Sequence, residues 1–224
     1  MRGLGADYQV LTYDARGHAR SPAPLDSTAY SMNLLVSDLL ALLDGESMFE
    51  PVVVGGLSMG AATALHFALA HPNRVRALVL ASYPPGPEDP GGFSIRAEAF
   101  AQEIEENGLE AAGARFVWGS DSGLSPDMAA QVRAGFLEHA AQGLSGVLRG
   151  VTAKNVDPAV LAKPLAHTGL PVLLVNGEHD LPALRASRVL AQGNPNLESL
   201  TLPDAGHVVN LAQPRLFNAA LLAF

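Results

Sequence analysis

The chain has 224 residues, 48% of them hydrophobic and 16% charged, which is enough for one sizeable core and too apolar for a disordered or solvating role. Fourteen Lys and Arg against 22 Asp and Glu leave a net charge of −8 with no dense basic cluster, which argues against a nucleic-acid partner. The absence of cysteine excludes disulfides, thiolate metal sites and a Cys nucleophile, and no apolar run reaches membrane-spanning length. Residues 1–7 hold no apolar core of signal-peptide length, so the cytoplasm is the expected compartment.

In chain order, residues 9–13 read as a short buried strand, closed by a turn-rich polar loop over residues 14–22. From residue 30 to 43 apolar residues recur at three and four (Leu34, Leu35, Leu39, Leu42, Leu43) before Gly45, the pattern of an amphipathic helix. Val52, Val53 and Val54 start a strand that runs into Gly56-Leu57-Ser58-Met59-Gly60, and an Ala-rich helical stretch follows until Pro72. Residues 75–81 form another strand. Strands separated by helices imply crossover connections, hence a mostly parallel, doubly wound α/β sheet covered on both faces.

Between residues 83 and 166 prolines and glycines break the chain, and helical stretches follow without a convincing strand. This reads as a helical insertion between two core segments, 1–82 and 167–224. Its apolar residues are mostly packing, and Trp118, Phe136 and Leu144 are the candidate substrate contacts. Strands resume at residues 171–175 and 197–202, each followed by a polar loop, Asn176-Gly177-Glu178-His179-Asp180 and Pro203-Asp204-Ala205-Gly206-His207. Helices are expected over about 183–191 and 214–224.

The strand, tight turn and helix around Ser58 would strain its backbone and lift its hydroxyl above the sheet, with Gly56 and Gly60 letting strand and helix pass closely. A serine hydroxyl needs a base to take its proton, and the base needs a third group to fix its tautomer. Catalytic groups on parallel sheets sit at the carboxyl ends of strands, where Asp180 and His207 fall. Glu178 and Asp204 are nearby acids that could orient the base instead, and His18, also after a strand, rivals His207. His66, His71, His139 and His167 are worse placed. Asp14 and Arg16 read as ties within their own loop. Arg149 could hold an acidic substrate group, although a solvated helix face is the plainer reading. With no phosphate loop and no H-E-x-x-H, no cofactor or metal is expected.

Asp14-Ala15-Arg16-Gly17-His18-Ala19-Arg20-Ser21, Gly56-Leu57-Ser58-Met59-Gly60, Asn176-Gly177-Glu178-His179-Asp180 and Gly206-His207 together resemble the α/β-hydrolase superfamily, in particular its small esterase, lactonase and cofactor-free haloperoxidase branch. The order Ser58, Asp180, His207 matches that family's order of nucleophile, acid and base. The resemblance implies Ser58 as nucleophile, His207 as base, Asp180 as its orienter, the Met59 backbone N–H as one oxyanion donor, and the insertion as a cap. A serine at position 58 argues against the dehalogenase and epoxide hydrolase branches, which carry aspartate there. Two departures stand out. Ala19 occupies the usual second glycine of its loop, and, aligned on that loop, the chain is expected to be an N-terminally truncated or wrongly started version of a longer enzyme, without the family's first three strands and the His-Gly loop that gives the second oxyanion donor. The gap would be closed by the Val10 strand pairing directly with the Val52 strand, or by a partner chain. The expected function is a serine hydrolase cleaving an ester, lactone or related acyl bond of a small, mostly apolar substrate. The alternatives are a hydrolase-fold binding protein without a complete oxyanion hole and a haloperoxidase or perhydrolase on the same triad. The expected partner is a small acyl compound, with no nucleic acid or membrane, and self-association is left open.

Overall fold

A computed structural model of the chain describes residues 8–87, 89–120 and 122–224. In chain order its elements are α1 (Met32–Gly45), β1 (Val52–Leu57), α2 (Met59–Ala70), β2 (Val75–Ala81), α3 (Phe93–Phe116), α4 (Pro126–Phe136) and α5 (Ala141–Gly150). There follow α6 (Pro158–Thr168), β3 (Val172–Gly177), α7 (Leu181–Leu190), β4 (Leu197–Leu202), α8 (Val209–Ala212) and α9 (Pro214–Ala223). Among the described residues no helix is long and apolar enough to cross a membrane.

The strands form one parallel sheet in the order β1-β2-β3-β4, with Val54 opposite Leu78, Leu80 opposite Leu174 and Leu174 opposite Ser199. The apolar runs of β2 and β3 follow from burial on both faces. Leu78, Leu80, Val172 and Leu174 point to one side and join Leu39 and Leu43 of α1, Leu65 and Phe67 of α2, and Leu190 of α7. The alternate residues Val79, Ala81, Leu173 and Val175 meet Leu202, Val209 and Phe217 on the other. The sheet is therefore wound on both faces, with Ser31 capping α1 by accepting the Leu34 N–H.

Two expectations change. Residues 9–13 form no strand and do not pair with β1, and Tyr8, Val10, Leu11 and Tyr13 stay exposed. Their composition suits a strand, but a strand forms only where a neighbour accepts its ladder, and no described segment does so. β1 is the edge of the sheet, and its Val53 is 55% exposed. The second change concerns α6, read from sequence as part of the insertion: Leu161 and Leu165 pack into the main core. The helices above the sheet are α3, α4 and α5.

Of these, α5 is held down by close approach to Tyr30. A Cβ at Gly146 or Gly150 of α5 would lie 2.5 or 2.2 Å from atoms of Tyr30, which also packs with Leu35, Val147 and Val151. Tyr30 is fixed in turn by its hydroxyl, which donates to the Pro24 carbonyl at 2.7 Å. In the preceding loop the Arg16 guanidinium grips both carboxylate oxygens of Asp38 on α1 at 2.5 Å, so Arg16 ties down its loop as expected. Ala19 adopts φ 39° in that loop, a conformation usually left to glycine.

Candidate active site

Every strand of the sheet delivers one polar side chain from its carboxyl end: Ser58 after β1, Ser82 after β2, Asp180 after β3 and His207 after β4. Ser58 has φ 55° and ψ −117°, a strained conformation held by its N–H donating to Ala81 O at 2.9 Å and its carbonyl accepting the Ala62 N–H at 3.0 Å. Gly56 makes the turn sterically feasible, because a Cβ there would lie 2.2 Å from the Gly60 carbonyl carbon. Gly60 is different: a Cβ on it would meet nothing within 4 Å. The close passage expected of both glycines rests on Gly56 alone, since the first turn of α2 crowds the strand while the Gly60 side faces open space. Met59, first residue of α2, carries a backbone N–H without an intrahelical acceptor and lines the cavity described below.

Asp180 and His207 are brought together by the loops after β3 and β4. A Cβ on Gly177 would lie 2.3 Å from the carbonyl oxygens of Ala205 and Gly206, so the loops touch backbone to backbone. The Glu178 N–H donates to Leu202 O at 3.0 Å and the His179 N–H to Ala205 O at 2.9 Å. Asp180 then caps α7, accepting the Ala183 N–H at 3.3 Å, while its other oxygen accepts the His207 Nδ1–H at 2.7 Å. A carboxylate at that distance fixes the neutral imidazole with Nδ1 protonated and Nε2 free to accept a proton. Burial pushes the Asp180 carboxyl up, but the His207 hydrogen bond and charge, with the Ala183 N–H and the Ser82 hydroxyl, together hold it below the ordinary carboxylate range.

Ser82, which the sequence reading did not single out, is fully buried with φ 44°, and its hydroxyl donates to the His207 carbonyl at 2.8 Å. The one signal was its place, directly after a strand as Ser58 is. Of the rival acids, neither Glu178 nor Asp204 bonds His207; instead Glu178 accepts the Asp204 N–H at 3.2 Å. With His179 these two place three exposed ligand atoms within 4.8 Å of one another on the outer side of the same loops. His18 takes no part: its ring meets His139 edge-on at 5.1 Å, and its Nδ1 lies 3.2 Å from Arg16 O. Arg149 is paired with Glu98 and Glu105, the solvated-face reading.

Ser58 and His207 line one cavity of about 480 Å³ that α3 and α5 also border, and no hydrogen bond joins them in this structure. Phe93, Phe100 and Phe116 of α3 supply its aromatic wall. The expected substrate contacts Trp118, Phe136 and Leu144 are not in its lining, which is a correction. Phe136 stacks behind Phe100 at 5.9 Å, Trp118 meets Phe136 edge-on at 5.3 Å, and Leu144 is buried with Ile104 and Ala112. Helix α3 puts one face to the cavity and its outer side to these residues, so they support the wall from behind.

Comparison with known proteins gives the family and the fold. The family model described as the alpha/beta hydrolase family matches residues 1–220. A Bacillus subtilis protein bearing the name 2-succinyl-6-hydroxy-2,4-cyclohexadiene-1-carboxylate synthase is 31% identical over 225 residues, covering 97% of this chain and 81% of its own. The 3-oxoadipate enol-lactonase 1 of Acinetobacter baylyi is 27% identical, covering 96% of this chain and 77% of its own. A thermophilic esterase of Thermogutta terrifontis shares the fold with TM-score 0.78 at 22% identity, over 94% of this chain and 76% of that one.

Proposed function

The chain belongs to the alpha/beta hydrolase family, and from that premise we propose that it is a serine hydrolase of small acyl compounds, working through Ser58, His207 and Asp180. The observation that carries the proposal is the 2.7 Å bond from His207 to a buried carboxylate, on the wall of the cavity that also holds a strained Ser58. Substrate seating brings the Ser58 hydroxyl within reach of His207 Nε2, a bond that commonly tightens only in the complex. Ser58 Oγ then attacks the carbonyl carbon as its proton moves to Nε2, and Asp180 stabilises the imidazolium. The Met59 N–H, at the positive end of α2, donates to the developing oxyanion, an interaction of about 3–4 kcal/mol in comparable sites. Collapse of the tetrahedral species expels the leaving oxygen with the proton from His207. Water, activated by the same imidazole, releases the acyl group and regenerates the Ser58 hydroxyl. The likeness to a lactonase, over 96% of this chain and 77% of that one, supports an acyl bond as the target.

Hydrolysis of p-nitrophenyl butyrate tests the proposal. Ser58→Ala and His207→Ala are expected to lower kcat by about 10⁴-fold or more with the fold retained. Turnover unchanged by either substitution overturns it.

A further inference from the structure

We propose that Arg96 holds a carboxylate carried by the substrate away from the scissile bond. The inference rests on the reading of the cavity as the acyl site, and it makes the substrate an apolar body with one anionic end. Phe93, Arg96, Ala97 and Phe100 are spaced i, i+3, i+4 and i+7 along α3, and all four line the cavity with Ser58 and His207. That stripe is apolar except for Arg96. No Asp or Glu is in the lining, so Arg96 is its one permanently charged side chain among the described residues.

The other arginines sharpen the contrast. Arg16, Arg20, Arg74, Arg115, Arg133, Arg149 and Arg185 each pair with a carboxylate of this protein. Arg96 has no acidic partner among the described residues, and of the arginines without one only Arg96 borders the cavity. Arg96 is itself exposed, so its guanidinium stands at the edge of the cavity, keeps its hydration, and is open to the anionic end of a ligand whose apolar body lies against the phenylalanines. The fork of donors suits a planar carboxylate, and a single fork balances a single charge. The further polar lining, Ser122, Thr152 and Asn155, is uncharged and adds nothing that would balance a phosphate dianion. On a chain of net charge −8 the position also supplies local attraction for an anion that the molecule as a whole repels.

Two esters of equal length decide the matter: mono-p-nitrophenyl glutarate, with a free carboxylate, and p-nitrophenyl pentanoate, with a methyl group in its place. The wild-type enzyme is expected to favour the first in kcat/KM by about 3- to 10-fold, the worth of one charge-assisted contact at a solvent-exposed guanidinium. Arg96→Ala brings the ratio to about one, and Arg96→Lys recovers part of it. The same ratio in wild type and Arg96→Ala, or a wild-type preference for the neutral ester, overturns the proposal. If neither ester is turned over, the hydrolase reading fails by itself, and titration calorimetry with glutarate still decides the inference. Binding lost in Arg96→Ala sustains it, and absent or equal binding overturns it.

Discussion

At the scale of single residues, backbone strain gathers around the candidate site. Of the five described non-glycine residues with positive φ, Ser58, Ser82 and Asp204 sit in loops at the carboxyl edge of the sheet, where the surrounding hydrogen bonds hold them against their preference. Ser82 acts through another residue, as it holds the His207 backbone and adds to the set that keeps Asp180 ionised. Ser82→Ala is expected to lower kcat roughly tenfold with KM little changed, and to cost about 1 kcal/mol of stability in urea unfolding. A purely structural role would lower stability and leave kcat alone. Of these residues, Ser58, Asp180 and His207 were legible in the sequence, because the G-x-S-x-G turn and the polar ends of strands mark them. Ser82 was not, since serine after a strand is ordinary. Nor does Arg96 stand out in the sequence, because which side of its helix borders a cavity depends on packing with distant segments.

At the scale of elements, the turn between β1 and α2 depends on which glycine meets backbone. Gly56→Ala sets its new methyl carbon 2.2 Å from the Gly60 carbonyl carbon and must move strand or helix. Loss of soluble folded protein, or destabilisation of about 3 kcal/mol or more, is expected in thermal unfolding. Gly60→Ala, with no atom within 4 Å of the added carbon, is expected to fold normally. Equal behaviour of the two variants would contradict this account of the turn. Strand legibility followed burial. β2 and β3 read clearly because both of their faces are covered. Residues 9–13 carry a similar apolar run, yet such a run states which side chains could be buried and not whether a neighbouring ladder exists. The helix α6 was assigned to the insertion because it follows the insertion's other helices in sequence, and only its packing on α7 and the main core separates it.

At the scale of the whole molecule, Asp180 ties two successive connections of the sheet together, capping α7 on one side and fixing the loop after β4 through His207 on the other. Its carboxyl lies below the ordinary value of 3.8 in the folded protein. A depressed carboxyl contributes stability above its unfolded value and loses that contribution as pH falls through the folded one. Wild type is therefore expected to be more stable than Asp180→Asn at neutral pH, with the difference shrinking as pH falls below 3.8, read from urea midpoints across the range. A difference that stays constant with pH would show that the carboxylate charge does not matter.

The most direct test of the central claim is intact-mass and peptide analysis after incubation with a fluorophosphonate, which reacts with a serine only when a neighbouring base activates it. A single adduct on the peptide containing Ser58, absent in Ser58→Ala and strongly reduced in His207→Ala, is the predicted result. No adduct on the folded wild-type protein at any pH, or an adduct on another residue that persists in Ser58→Ala, would contradict it.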